Sequence, residues 1–180
     1  MNGGPLYRRV LGADFDNLPS AVKALHDNPG RVVAVGSCEV TRGGNPLARL
    51  MASLYGFPPA GEDVPLRVVV EVAGGFERWS RDFGGHRLRS VQGEVAGRPG
   101  LIFERFGPGR FTIDPQPSEQ GLSFALKGAR ILGIPLPRFL WPAIVGDETR
   151  VEGRYNFDVA IALPLVGLLV SYRGELLLEG

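Results

Sequence analysis

With 180 residues, 44% of them hydrophobic, the chain has the length and apolar content of one domain with a sizeable core. Its 20 basic and 19 acidic residues leave a net charge of +1 and no block of like charge. That excludes a nucleic-acid-binding arm or an acidic tail and gives a membrane-surface role no electrostatic support.

The single cysteine, Cys38, has no partner for an internal disulfide, which fits a reducing, cytoplasmic setting. The opening MNGGPLYRRVLGADF lacks the apolar run of a signal peptide. The first third reads as helical. PLYRRVLG begins with a proline suited to a first helical turn, and Leu18, Val22 and Leu25 fall at helical spacing before Asn28-Pro29-Gly30 stops them. Arg31 to Arg42 reads as the first strand, kinked or bulged at Gly36. In NPLARLMASLYG, Asn45 is the cap, Pro46 opens the first turn and Gly56 ends the helix. Its apolar face is expected to be Leu47, Leu50, Met51 and Leu54, laid over one opening of the sheet that follows.

From Pro65 onward, glycines and prolines punctuate short apolar runs at roughly 8–12 residues, the pattern of an antiparallel sheet. The expected fold is α+β and mainly β: a curved antiparallel sheet or β-barrel of about eight or nine strands around an apolar cavity. The whole chain, residues 1–180, is one domain, helical over 1–60 and antiparallel β over 61–180. VAIALPLVGLLV (Val159 to Val170) is shorter than the roughly 20 residues that span a bilayer and is broken by Pro164 and Gly167, so it reads as two strands and their turn. The chain is therefore not expected to be an integral membrane protein.

Two histidines and one cysteine, with no metal-ligand spacing, propose no metal site. No GxGxxG in a βαβ unit and no GxSxG elbow occurs, so no cofactor is expected. Cys38 is expected to be a small buried hydrophobe, and His26 a structural residue at a helix C-terminus.

What remains is polar residues set among aromatics. In FERWSRDF, Glu77, Trp79, Arg81 and Phe83 share one face, and Phe76, Arg78, Ser80 and Asp82 the other. In IFERFG, Glu104 lies between Ile102 and Phe106. A Glu104–Arg81 pair follows if the two faces coincide, with Glu77 and Arg105 as other candidates. His86, just after Gly84-Gly85, is either a rim residue or a general base at a cavity mouth. The row Glu148, Arg150, Glu152, Arg154, Asn156, Asp158 reads as a solvated ladder opposite Tyr155 and Phe157. The segment from Ile134 to Trp141 is either a loop over the cavity mouth or a packed edge.

LYRRVLGADFDNLPSAVKALH, WSRDFGG, ERFGPGRF, LGIPLPRFLWP and RYNFDVAIALPLVGLLVSYRGEL, in this order, resemble the uncharacterised bacterial domain-of-unknown-function family numbered four-one-six-six, from Leu6 to Leu176. The resemblance implies a domain that stands alone or follows saccharopine-dehydrogenase-like or short-chain-reductase-like nucleotide-binding domains. It assigns no catalytic residues. The motif positions Trp79, Arg81, Phe83, Glu104, Phe106, Gly107, Pro135, Pro137, Phe157, Asp158, Tyr172 and Gly174 are equally compatible with structural roles.

The expected function is binding of a hydrophobic small molecule of polyketide, terpenoid or lipid type, with cofactor-free cyclase or isomerase chemistry as its more ambitious form. Catalytic candidates are Glu104, Arg81, His86 and Asp158; ligand-binding candidates are Trp79, Phe83, Phe103, Phe106, Trp141, Tyr155, Glu77 and Asp82. A non-catalytic carrier, and an interaction domain docking on a reductase-like partner, are the alternatives.

Overall fold

The computed structural model describes residues 4–179. Three short helical pieces open the chain: α1 (Leu6–Leu11), a 3-10 turn (Gly12–Asn17) and α2 (Ser20–His26). Strand β1 (Arg31–Arg42) and helix α3 (Pro46–Leu54) follow. Next come β2 (Gly61–Ala73), β3 (Phe76–Phe83), β4 (His86–Glu94), β5 (Ile102–Phe106), β6 (Gly109–Pro117) and β7 (Gly121–Ile131). The two-residue β8 (Ile134–Pro135) and a 3-10 turn (Arg138–Leu140) precede β9 (Ala143–Val151), β10 (Arg154–Leu163) and β11 (Gly167–Leu178).

All strands pair antiparallel in the order β6-β5-β4-β3-β2-β1-β11-β10-β9-β7, and β6 pairs back onto β7. The sheet therefore closes into a barrel, with β7 and β9 paired over Gly121–Ser123, and β8 only extends β7. The ring holds ten strands, slightly more than the sequence suggested. Part of the difference is that the acidic-basic row is not one strand: Glu152–Gly153 turns between β9 and β10.

Local sequence explains the closure. Gly74-Gly75 and Gly84-Gly85 all have positive φ (62°, 83°, 60° and 101°), which suits the tight turns of right-handed twisted hairpins. The bulge in β1 lies between Cys38 and Val40 rather than at Gly36. Gly36 is needed for a different reason: a Cβ there would sit 1.9 Å from the Glu175 carbonyl oxygen, and one at Gly174 would meet Ser37 O at 2.2 Å. These two glycines let β1 and β11 coil tightly enough for the wall to curve. Cys38 is buried, and burial pushes its thiol up to about 11, so it behaves as the small hydrophobe expected.

The two barrel ends are closed differently. At one end α1, the first 3-10 turn and α2 form a plug, with Leu6, Tyr7, Phe15, Val22 and Leu25 all at most 1% exposed. At the other end lies α3, capped as expected by the Asn45 side chain, which accepts from Ala48 N–H at 2.7 Å. Of its four expected face residues only Met51 packs on the core; the other three point outward. Ala48 and Ala52 are fully buried, whereas Leu47, Leu50 and Leu54 are 51%, 54% and 66% exposed. The cause is close approach: a Cβ on Gly43 would meet the Ala48 Cβ at 2.9 Å, so only small side chains fit between helix and wall.

Candidate functional site

Strand β3 runs through the middle of the barrel wall and turns Glu77, Trp79, Arg81 and Phe83 inward, Glu77, Trp79 and Phe83 being at most 5% exposed. Period-two alternation then sends Phe76, Arg78, Ser80 and Asp82 outward. From β5, the inward set is Ile102, Glu104 and Phe106, as part of the lining of an inner chamber of about 100 Å³ that Arg81 also lines. Arg81 Nη2 lies 3.6 Å from Glu104 Oε1, and Arg81 Nη1 donates to Ser90 Oγ at 2.9 Å. The Arg81 guanidinium also sits over the Trp79 ring, 4.9 Å from its centre. Burial opposes the charge on Arg81, yet Glu104 and the surrounding tyrosine oxygens raise its pKa on balance. The ion pair is loose, and 16% of the Arg81 and 18% of the Glu104 side chain stay exposed while facing the chamber they line.

A second polar group lies toward the plug. His26 Nε2 and Glu148 Oε2 are 2.6 Å apart, with His26 Nδ1 the one fully buried side-chain polar atom among the described residues that has no partner. Tyr7 packs on the His26 ring at 4.0 Å and donates its hydroxyl to Gln92 Oε1 at 3.0 Å. Glu77 accepts from Leu6 N–H (3.3 Å) and Trp79 Nε1–H (3.1 Å), which ties the plug to the wall. Desolvation raises the Glu77 pKa despite nearby His26 and these donors. Burial is also the main reason that Tyr172 is pushed up to about 12 and that Tyr155, beside Glu148, lies well above 10. Glu148 and Tyr172 line the inner chamber together with Glu104 and Arg81.

Toward α3 the lining changes character. An outer chamber of about 240 Å³, partly open to solvent, is walled by Tyr55, Phe57, Ile131, Leu136, Leu140 and other apolar side chains, with no charged residue. Phe57, Phe106, Phe111 and Ile161 line both chambers and form a mainly aromatic partition between them. Phe106 packs on Phe57 at 5.8 Å and on Phe111 at 5.1 Å.

The candidates from sequence thus divide. Glu104, Arg81, Trp79 and Phe106 converge on the inner chamber, and Phe83 and Tyr155 line a smaller void that adjoins it, while Glu77 is interior but committed to the plug. Asp82 is on the outer wall, binding Gly85 N–H and Arg87; Phe103 is outside beneath the Arg110 guanidinium; Asp158 is exposed on β10 opposite Arg173. His86 bonds the Gly56 carbonyl at 2.9 Å near the mouth, and Trp141 donates to the Leu136 carbonyl at 2.8 Å, steadying the segment 134–142. Leu136, Leu140 and Pro142 place that segment over the outer chamber. Reasoning from sequence missed Glu148, which faces inward, and His26, which is 1% exposed and paired with it. The signal for Glu148 was parity with Ile144 and Gly146, hidden by treating β9 and β10 as a single strand.

Fold and interior together define a closed antiparallel barrel, plugged by helices at one end, whose interior sets an apolar chamber beside one that contains paired charges. The family model described as "Domain of unknown function (DUF4166)" matches residues 18–176, and the chain belongs to that family. No curated protein and no solved structure matches. Among the described residues no helix is long and apolar enough to cross a membrane.

Proposed function

We propose that the barrel binds a hydrophobic small molecule, of polyketide, terpenoid or lipid type, that carries one polar group. Its apolar body occupies the outer chamber and its polar group reaches Arg81 and Glu104 past the aromatic partition. The observation that carries this is the change of lining between two neighbouring chambers that share Phe57, Phe106, Phe111 and Ile161: uncharged at the mouth, with a buried guanidinium on a loose carboxylate partner further in. Binding sites of this kind combine an apolar wall with few convergent polar groups. A 3.6 Å ion pair leaves the guanidinium able to exchange part of its contact for a ligand oxygen.

One observation favours a catalytic form. Two carboxylates from different strands, Glu104 and Glu148, line the same chamber, each beside its own basic partner, Arg81 and His26. Such a pair supplies proton donor and acceptor positions for a cofactor-free cyclisation or isomerisation, with the aromatic walls fixing substrate geometry. A non-catalytic carrier would use the same walls without proton transfer, and a domain docking on a reductase-like protein would need no ligand at all.

Native mass spectrometry of the protein purified from its own host, followed by organic extraction, tests the proposal. The expected result is a stoichiometric apolar molecule, lost in Arg81→Met and retained in Asp82→Asn. A protein that is unliganded at every concentration, and that takes up no fatty-acid-like or polycyclic probe, would overturn it. Incubating a precursor of the extracted molecule with wild type and Glu104→Gln then separates enzyme from carrier.

A further inference from the structure

We infer that the α3 end of the barrel docks on an anionic lipid bilayer, which places the apolar chamber in contact with the layer from which a hydrophobic ligand partitions. The inference rests on the ligand-binding proposal only for its purpose; the surface itself is argued independently.

Among the described residues twelve large hydrophobics are exposed, and eight of them surround this one end. Leu47, Leu50 and Leu54 line the outer face of α3. Leu132 and Ile134 form the β7–β8 turn at 79% and 68% exposure, and Phe139 and Leu140 stand on the neighbouring 3-10 turn. Leu165, fully exposed, sits in the β10–β11 turn beside the start of α3, where Asn45 Nδ2 donates to the Val166 carbonyl at 2.6 Å. Scattered exposed leucines are ordinary, whereas a ring of them around a cavity mouth marks an interaction surface.

Charge follows the same geography. The segments that carry these hydrophobics, residues 40–57, 129–142 and 162–168, contain no Asp or Glu. They contain Arg42, which is turned onto the Phe57 and Pro58 carbonyls, and Arg49, Arg130 and Arg138, which are exposed and among the described residues have no carboxylate partner. The carboxylates at this end are Glu62 and Asp63, at the start of β2 beside β1, and Asp82 on β3, which Arg87 holds; they form a different sector of the rim from the β7–β8, 3-10 and β10–β11 segments. The plugged end is mixed in charge: Asp16 and Asp27 pair with Arg8, Glu94 with Arg9 and Glu71 with Arg31. No run of like charge in the sequence marks this surface; the fold assembles it, and aliphatic groups that enter the acyl boundary beside exposed guanidinium groups that meet phosphate match the interface of an anionic bilayer. A protein partner fits less well. The eight hydrophobics sit on four separate short elements around an opening, and a rigid partner spanning them would leave the open chamber as an unfilled void beneath it.

Flotation with vesicles tests this with the full-length chain. Vesicles of phosphatidylcholine with phosphatidylglycerol should carry the protein upward, and phosphatidylcholine alone should carry much less. Arg49→Ala with Arg138→Ala should weaken binding roughly 25-fold, about fivefold for each arginine, and raised salt should mimic the loss. Leu50→Ser with Phe139→Ser should abolish flotation while leaving thermal unfolding and uptake of an apolar fluorescent probe at wild-type levels, because both side chains point away from the interior. Absence of binding to anionic vesicles, or binding indifferent to both double variants, overturns the docking surface. Probe uptake without vesicle binding would overturn docking alone, and vesicle binding with an interior closed to every probe would leave docking standing and sink the ligand proposal.

Discussion

Helices α2 and α3 are both short, both carry apolar residues at helical spacing, and both sit over an end of the barrel, yet they are turned in opposite senses. Val22 and Leu25 of α2 point into the interior at 0% and 1% exposure, whereas Leu47, Leu50 and Leu54 of α3 point to solvent. The spacing of apolar residues identifies a stripe on a helix, but what lies beneath decides which stripe goes in. Under α2 there is a wide barrel end that large side chains must fill. Under α3 there is the β1–β11 rim with Gly43, close enough that Ala48 and Ala52 form the contact. One end is thus a plug that finishes the core, and the other is a mouth whose leucines are free for another use.

The largest expected effect breaks that comparison directly. Leu25→Ala removes a fully buried side chain from the plug and should destabilise the protein by about 3–4 kcal/mol in urea unfolding. Leu50→Ala removes the same atoms from α3 and should stay within about 0.5 kcal/mol of wild type. Equal costs at the two positions would mean that α3 is packed against something after all.

A middle-sized effect separates the inner chamber from both ends. Arg81→Met leaves Glu104 in the interior without its cation and should cost about 3 kcal/mol, the low end for a broken buried pair because the geometry is loose. Adding Glu104→Leu should recover most of that stability, since two apolar side chains of similar volume remove the stranded charge. Ligand uptake should not recover with it. A double variant that regained stability and binding together would show that the pair serves only to hold the wall.

Much of this architecture was legible in the chain itself. Paired glycines at 74–75 and 84–85 marked hairpins, and period-two alternation placed Glu77, Trp79, Arg81 and Phe83 on one face, because side-chain direction in a strand follows from parity alone. The Arg81–Glu104 contact could be proposed because an unpaired charge among aromatics is too costly to leave alone. Parity cannot say which face is inside, or whether a turn interrupts a run. Asp158 and Glu148 looked like members of one solvated row, but the Glu152–Gly153 turn lies between them, leaving Asp158 outside and Glu148 inside. The His26–Glu148 contact joins residues 122 positions apart, across the plug and the far wall of a closed ring. No local pattern encodes a contact that exists only once the barrel has closed.

That contact also yields the smallest and most diagnostic prediction. Burial disfavours the charged imidazole, but the adjoining Glu148 carboxylate more than offsets this, so the His26 pKa in the folded protein lies above its usual 6.5. A raised native pKa means that the folded state holds the proton more tightly than the unfolded chain. The resulting stabilisation is fully present below about pH 6.5 and is lost as pH rises through the higher native value. Glu77, whose pKa is also raised, contributes in the same direction from pH 4.5 upward, so the wild-type profile alone would mix the two groups. His26→Gln isolates the histidine. Its amide still donates to Glu148, so the loss at pH 6 should be only about 1 kcal/mol, the difference between a charged and a neutral hydrogen bond. A fall in melting temperature is expected of wild type above pH 6.5, and it should flatten in the variant. If both proteins lose stability in parallel over that range, His26 is neutral in the folded barrel, and Glu148 sits in the inner chamber as a carboxylate without a cationic partner.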